Sequence, residues 1–219
     1  MTICDARYMQ RHAPESLIST RLTLEPLSAE HAAPMVDVLE HASLYEFTGG
    51  EPPTLSQLES RYSRQTVGIS ADGLQYWFNW IVRRRDSNSI VGFVQATVEE
   101  DTRGAMAEVA WVINPMHQGH GFASEATREM ILWLRTTGVT QFAAFIHPAH
   151  AASIAVARRQ GLQPSHIVRD GEIRWESIFP TELSDPAGAT SSERARSTTT
   201  RTAPVGMDAL STFVVSRTS

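Results

Sequence analysis

Two glycines separated by one residue stand immediately before a strongly amphipathic helical segment. The stretch from Gln118 to Ala123 contains Gly119 and Gly121, which allow a tight turn whose backbone N–H groups point inward. The helix that follows has unpaired amides and the positive end of its dipole at its first turn. Such a loop can bind an anion, and a diphosphate fits it most naturally. The sequence therefore predicts an anion-binding loop at this point.

The same glycines have two other interpretations. The simplest is a glycine-containing turn before an ordinary helix, and this alternative stays open. A dinucleotide-binding fingerprint would need a third glycine where Ser124 stands, and an acidic residue at the end of the next strand. That strand ends at Ile146-His147-Pro148, so we discount the dinucleotide interpretation.

The elements that must position this loop follow from the hydrophobic periodicity. A period of two predicts strands, a period of 3.6 predicts helices, and Gly, Pro and Asn-rich points separate them. The pattern predicts a strand at 18–24, helices from Ser28 and from Thr54, strands at 76–85, 89–98 and 105–113, a helix at 121–137, a strand at 141–146, a helix at 150–160 and a hairpin at 165–179. This order is typical of an α/β domain built around a mixed sheet.

Residue types that are missing exclude whole classes of chemistry. The chain has 219 residues and a formal charge of −5, and all 19 cationic side chains are Arg, because there is no Lys. This excludes enzymes that form a Schiff base on Lys, Walker A phosphate loops and the ATP lysine of protein kinases. Cys4 is the only cysteine, which excludes intrachain disulfides, Cys-rich zinc sites and Cys-ligated iron–sulfur clusters.

Charge and hydropathy also limit the partners and the compartment. An acidic chain lacks the basic face that a nonspecific nucleic-acid binder uses, so no nucleic-acid partner is expected. No apolar run approaches the roughly 18 residues of a membrane-spanning helix, and the first residues lack the apolar segment of a signal peptide. We therefore expect a cytoplasmic protein with no membrane partner, and nothing in the sequence indicates its oligomeric state.

Length and composition predict one folded domain at residues 16–180. Residues 1–15 show no periodicity and are expected to be disordered. Residues 181–219 are dominated by Ser, Thr, Ala and Arg, with almost no large apolar residue before Phe213, so a disordered tail is predicted there.

Several segments in the right order resemble one enzyme superfamily. Gln118, Gly121 and Ala123 match the pattern of Gln or Arg, two residues, Gly, one residue, then Gly or Ala, which is motif A of the GNAT N-acetyltransferases. Four further segments resemble that superfamily's strands and its motif B helix: Thr20-Arg21-Leu22, Ile90-Val91-Gly92-Phe93, 107–115 and 151–162. The resemblance covers about residues 18–180 and is closest to the branch that includes the ribosomal-protein N-terminal acetyltransferases.

The resemblance implies a fold and a cofactor site. The fold would be a mixed, mostly antiparallel central sheet flanked by helices, whose fourth and fifth strands, ending near Ile113 and Ile146, splay apart. The pantetheine arm of acetyl-coenzyme A would enter that gap, and the loop amides would bind its pyrophosphate. The residues implied to contact the cofactor are Trp111, Val112, Ile113, Gln118, Gly119, His120, Gly121, Phe122, Ala123, His150 and Ser153.

The resemblance also implies two catalytic residues, and each has a plainer alternative. Glu108 on the fourth strand is the candidate general base, but it could instead only pair with an Arg of a neighbouring strand. Ser153 matches the Ser of an Asn-x-x-Ser motif, which implies a hydrogen bond to coenzyme A or protonation of its thiolate; the alternative is a role in the first turn of its helix. Two positions depart from the family pattern, since His150 replaces the usual Asn and Ala157 replaces a frequent Tyr acid.

The function implied is transfer of an acetyl group from acetyl-coenzyme A, as co-substrate, to a primary amine. Because the motif region contains no Cys nucleophile, direct attack in a ternary complex is expected, on a protein N-terminus or on a small-molecule amine. His147 and His150 are three residues apart, but Pro148 intervenes and no carboxylate or Cys is near, so no metal is expected. The alternative function is a non-catalytic acyl-coenzyme A binding or sensing module.

Overall fold

The computed structural model describes residues 12–101 and 104–177. The predicted tail at 181–219 lies outside the described residues, as do residues 1–11 of the predicted N-terminal segment. Within the described part, eight strands and four α-helices follow one another as β1 (Leu17–Ile18), β2 (Leu22–Pro26), α1 (Ala32–Leu39), α2 (Leu55–Gln65), β3 (Gln75–Arg84), β4 (Ile90–Asp101), β5 (Gly104–Ile113), α3 (Phe122–Thr136), β6 (Val139–Ile146), α4 (Ala151–Arg159), β7 (Leu162–Arg169) and β8 (Glu172–Ser177).

The strands form one mixed, mostly antiparallel sheet in the order β1-β2-β3-β4-β5-β6-β8-β7, which confirms the predicted fold class. Only the β5–β6 pair among the described strands is parallel. These two strands pair from Ala105 with Val139 to Glu108 with Ala143, and beyond that point they separate. They are the two strands predicted to splay apart, and they are numbered five and six because the first predicted strand is divided in two.

That division corrects the prediction of one strand at 18–24. A turn at Ser19 interrupts the chain, because the Leu22 N–H donates to the Ser19 hydroxyl at 3.0 Å and the Ser19 N–H donates to the Leu22 carbonyl at 2.9 Å. As a result Leu22 and Leu24 are fully buried, whereas the Ile18 side chain is 66% exposed. The alternation that places Ile18 with Leu22 on one face is therefore wrong.

The start of α2 agrees with the one predicted from the sequence, whereas the start of α1 differs from its prediction. At α2 the predicted capping box is present: the Gln57 N–H donates to Thr54 Oγ1 at 3.3 Å, and the Thr54 N–H donates to Gln57 Oε1 at 2.8 Å. At α1, Ser28 also forms a capping box, but with His31 at the end of a short 3₁₀ turn. The α-helix therefore begins at Ala32, three residues later than an N-cap at Ser28 predicts.

Each face of the sheet carries its own apolar core. Beneath α3 lie the fully buried Tyr76, Phe78 and Trp80, with the Trp133 ring 5.2 Å from the Trp80 ring. The opposite face packs against α1 and α2, through a cluster formed by Ala32, Met35, Val38, Leu39, Leu58, Tyr62, Ile81 and Phe93. Three of the four aromatic residues at 76–80 therefore belong to the core.

β4 and β5 approach each other closely at Gly92, which pairs with Ile113. A Cβ atom built on Gly92 would lie 1.9 Å from the backbone carbonyl oxygen of Val112. Because the obstacle is backbone rather than a flexible side chain, it cannot move without disturbing the β4–β5 register. This register fixes the end of β5 from which the glycine loop departs.

Gly92→Ala is therefore expected to lower the free energy of unfolding by about 3 kcal/mol, the upper end of the usual cost of overpacking. Chemical denaturation of the purified protein measures this directly. Gly73→Ala is the control, because Gly73 has a φ of +73° and no atom within 4 Å of an added Cβ. Its cost should be only that of the left-handed backbone, about 1 to 2 kcal/mol. If Gly92→Ala lowered the free energy of unfolding by no more than Gly73→Ala does, the close approach of the two strands at Gly92 would be contradicted.

Candidate active site

The predicted anion-binding loop lies at the N-terminus of α3 and is open to solvent. Gly119 and Gly121 both have left-handed backbone, with φ of +77° and +79°, and Gly121 is the N-cap residue of the helix. An added Cβ would meet nothing within 4 Å at Gly119, and at Gly121 only Arg21 Nη2 at 3.7 Å. The glycines are thus required by the backbone turn and leave the space before the helix free.

That space is part of a cavity of about 700 Å³ with a basic lining. Besides the loop and the first turn of α3, its walls carry the side chains of Arg21, Arg128 and Arg159. Glu125 also lines the cavity, but its carboxylate forms an ion pair with Arg21, whose Nη2 lies 2.6 Å from Glu125 Oε2. Free amides at a helix N-terminus, together with these guanidinium groups, fit a polyanionic ligand such as a diphosphate.

Glu125 joins the turn between β1 and β2 to the glycine loop. Its Oε1 accepts from the Ser19 hydroxyl at 2.7 Å and the Arg21 N–H at 2.9 Å, and its Oε2 accepts from Arg21 Nε at 2.7 Å. Arg21 Nη1 in turn donates to the His120 carbonyl at 3.0 Å. Although burial alone would raise it, these hydrogen bonds hold the pKa of the Glu125 carboxyl below its usual value.

The other predicted loop residues divide between the cavity and the protein interior. Gln118 uses its side-chain amide to donate to the Ile113 carbonyl at 2.9 Å, so it fixes the loop to the end of β5. The Phe122 side chain is buried, with the His120 ring stacked 5.7 Å from it, and Ala123 packs against the core. These residues can meet a ligand mainly through backbone groups.

The gap between β5 and β6 begins directly after Glu108. Trp111 and Val112 are half-buried and Ile113 is buried, and the register with β6 ends before them. Their backbone groups on the β6 side are therefore available to an extended ligand, which would pair with β5 as an added strand does.

His150 and Ser153 meet at the start of α4. His150 Nδ1 accepts from the Ser153 N–H at 3.5 Å, so the ring proton of a neutral His150 is on Nε2. Burial and His147 lower the pKa of His150 against the opposing effect of Glu46. The Phe47 ring stacks on the imidazole with a centroid distance of 4.5 Å. His150 is thus a neutral helix cap with one N–H donor, and the buried Ala157 provides no acid in its place.

The Glu108 carboxylate forms an ion pair with Arg169 on β7. Its two oxygens accept from Arg169 Nη2 at 2.6 Å and Nη1 at 3.2 Å. The guanidinium carbon lies 3.6 Å from the centroid of the Phe145 ring, which holds the arginine against β6. Glu108 thus pairs with an Arg, as the plainer alternative expects, but the partner lies on β7, which is not a neighbour of β5 in the sheet. The catalytic role of Glu108 stays a prediction.

Sequence reasoning missed a second acidic residue, Glu172. It is the first residue of β8 and only 7% exposed. Burial, opposed by the Arg169 charge and aided by Glu108 and Asp170, raises the pKa of Glu172 to about 7. A carboxyl group with this pKa can take up and release a proton at neutral pH, as general acid–base catalysis requires. The sequence offers only an acidic residue after a predicted turn, which is too common to single out.

Comparison with known proteins identifies the family. A model of the acetyltransferase (GNAT) domain matches residues 21–163. The chain belongs to the GNAT acetyltransferase family. It is also similar to the uncharacterised N-acetyltransferase YjdG of Bacillus subtilis (strain 168), with 25% identity over 123 residues, which are 53% of this chain and 70% of that protein.

Solved structures of GNAT enzymes share the fold. RimL, the ribosomal L7/L12 alpha-N-protein acetyltransferase, in complex with coenzyme A, has a TM-score of 0.61 and 15% identity, covering 75% of this chain and 98% of that one. The acetyltransferase from Salmonella typhimurium that modifies the N-terminal serine of L7/L12 has a TM-score of 0.61, 15% identity and coverages of 75% and 99%. The suspected resemblance is confirmed at the level of family and fold, and the neighbours include the suspected branch.

Metal-ligand groups and membrane-spanning helices are both absent from the part of the chain that the structure describes. No three His, Cys, Asp or Glu side chains of residues 12–101 and 104–177 come together as metal ligands. None of the helices in those residues is both long enough and apolar enough to cross a membrane.

Proposed function

We propose that this GNAT chain is an acetyl-coenzyme A dependent N-acetyltransferase. It transfers the acetyl group to a primary amine, on a protein N-terminus or a small molecule, by direct attack in a ternary complex. The observation that carries the proposal is the left-handed glycine loop with its basic cavity, which follows directly from the free end of β5.

The residues present fit the co-substrate. The loop amides and Arg21, Arg128 and Arg159 would hold the diphosphate part, and the backbone from Trp111 to Ile113 would pair with the pantetheine amides. Acetyl-coenzyme A supplies the acetyl group as a thioester.

The proton transfers fall to residues of this chain. Glu172 accepts the proton from the acceptor ammonium group, since its pKa is about 7 and both oxygens of Glu108 already accept from Arg169. Ser153, half-buried in the first turn of α4, donates a hydrogen bond to the departing thiolate. As the carbon–sulfur bond breaks, this thiolate takes up the second proton of the attacking nitrogen, so that free thiol and amide are the products. We therefore assign the base to Glu172 and keep Glu108 as the partner of Arg169.

The pKa of the acceptor amine determines which class of acceptor is easiest to neutralise. At pH 7 a Lys amine with a pKa near 10.4 costs about 4.6 kcal/mol to neutralise, whereas an α-amine near 8 costs about 1.4 kcal/mol. Two structural neighbours are named as acetylating a ribosomal-protein N-terminus, which supports a peptide N-terminus as acceptor. We accordingly place peptide N-termini before Lys side chains among the acceptors.

Thiol release tests the proposal. Incubation with acetyl-coenzyme A and a panel of peptides and small amines is expected to release free coenzyme A thiol, with initial-rate patterns that indicate a ternary complex. Without an acceptor, intact-protein mass spectrometry should find no acetyl group on the enzyme. Bound coenzyme A with no thiol released across the panel would favour the non-catalytic binding module instead.

Glu125→Ala is expected to weaken coenzyme A binding by more than tenfold. The substitution frees Arg21 from the carboxylate, so the hydrogen bond that holds the His120 carbonyl and the loop loses its support. Hydrogen bonds to charged groups contribute about 1.5 to 3 kcal/mol each. Isothermal titration calorimetry measures the change, with Glu129→Ala as the matched control. That variant also frees a cavity arginine, Arg128, but leaves the hydrogen bond from Arg21 to the His120 carbonyl in place. Equal affinities for the two variants would contradict this role.

A further inference from the structure

Glu108, Arg169 and Glu172 form a group that links three strands of the sheet. Arg169 ends β7 and is the register partner of Glu172, which begins β8 after the turn at Asp170-Gly171. Residues directly opposite each other in an antiparallel pair have Cβ atoms about 4.5 to 5.5 Å apart. The guanidinium group nevertheless donates to Glu108 on β5, with both Nη atoms. The arginine is thus drawn toward β5 and lies over Phe145.

We propose that Glu108 and Arg169 are positioning residues for Glu172: Glu108 binds the guanidinium group, so that Arg169 does not form an ion pair with the catalytic carboxylate. This inference rests on the proposed function, in which Glu172 is the base. An arginine that paired with Glu172 instead would occupy the lone pairs that must receive the proton of the amine.

The charges around Glu172 determine in which direction its pKa changes when Glu108 or Arg169 is substituted. Glu172 is faced by Arg169 across the hairpin, by Asp170 in the turn and by Glu108 from β5. After burial, which raises the pKa of Glu172 most, the Arg169 charge lowers it, and the Glu108 and Asp170 charges raise it. Removing the Glu108 charge should therefore lower the pKa of Glu172, and removing the Arg169 charge should raise it.

The pH profile of kcat/KM shows these opposite changes in the pKa of Glu172. Because Glu172 must be deprotonated to act, the rate should rise with pH through the pKa of Glu172, about 7. Glu108→Gln is expected to move this acid limb to lower pH and Arg169→Met to move it to higher pH, each by about one pH unit. Arg169→Lys, which keeps the positive charge, should return the limb toward the wild-type position.

A matched ion pair serves as the control. Arg174 and Glu176 lie on β8 with a nitrogen–oxygen distance of 2.9 Å, and neither contributes to the pKa of Glu172. Arg174→Met and Glu176→Gln should leave the acid limb where it is in the wild type. A shift as large in these variants would mean that any loss of charge on β7 or β8 moves the limb, and would overturn the proposal.

A second readout does not depend on turnover. Titration of the Glu172 carboxyl by carbon-13 NMR, assigned with Glu172→Gln, should show the opposite displacements in Glu108→Gln and Arg169→Met. If the protein acetylates nothing and these displacements occur, the proposed function fails while the interaction stands. If the Glu172 resonance titrates alike in both variants and the wild type, or moves in the same direction in both, the positioning role is wrong.

Discussion

Glu172→Gln is expected to lower kcat by about 10²- to 10⁴-fold, the usual contribution of a general base. The amide has nearly the same shape and volume as the carboxylic acid but cannot accept the proton of the acceptor ammonium group. Binding of acetyl-coenzyme A should be unchanged, because Glu172, on β8, is not among the residues that line the cavity at the glycine loop. Steady-state kinetics and calorimetry on one preparation separate the two effects.

Stability provides the control for this variant. The pKa of Glu172 in the folded chain, about 7, is above its ordinary value of 4.5, so folding favours the protonated acid. That contribution is fully present below about pH 4.5 and is lost as the pH rises through 7. Glu172→Gln should therefore have a higher Tm than the wild type at pH 8 and a similar Tm at pH 5. A variant that is more stable at pH 8 with unchanged kcat would remove Glu172 from the mechanism.

Gly121→Val is expected to abolish measurable binding of acetyl-coenzyme A in a protein that remains folded. Gly121 has a φ of +79°, a conformation that a β-branched residue adopts only with strain, so the backbone must rotate and turn the loop amides away. Loss of two or three charge-assisted hydrogen bonds, at about 1.5 to 3 kcal/mol each, weakens binding by far more than tenfold.

The environment of Gly121 explains why folding should survive. The nearest atom to an added Cβ is Arg21 Nη2 at 3.7 Å, which is an ordinary contact with the end of a flexible side chain. Gly138→Val is the control, since Gly138 follows the other end of α3 with a φ of +95° and no atom within 4 Å. Gly138→Val should lower the Tm by a similar amount but bind acetyl-coenzyme A with wild-type affinity. Retained affinity in folded Gly121→Val would mean that the loop is only a turn.

Features that depend on local sequence could be predicted. The glycine loop, the capping box at Thr54 and the order of strands and helices follow from residue preferences within a few positions. The gap between β5 and β6 was implied by the family resemblance rather than by periodicity, and the register confirms that pairing ends at Glu108.

Features that depend on contacts between residues distant in sequence could not be predicted. Alternation over 18–24 is compatible with one strand. The turn closed by the Ser19–Leu22 hydrogen bonds is also bound by Glu125, which accepts from the Ser19 hydroxyl and lies 106 positions away in sequence. The altered pKa of Glu172 arises because the fold buries its carboxyl group beside Arg169 and Glu108, which no spacing in the sequence encodes. For the same reason the ion pair of Glu108 was foreseen only as an alternative.

Isotopically labelled acetyl-coenzyme A and mass spectrometry of the acceptors show whether the protein is an N-acetyltransferase. A labelled acetyl group is expected on the amine nitrogen of at least one peptide or small-molecule acceptor. The label should disappear with Gly121→Val, through loss of binding, and with Glu172→Gln, with binding intact. If coenzyme A binds to the wild-type protein while every acceptor in a broad panel stays unlabelled, the protein is not an N-acetyltransferase.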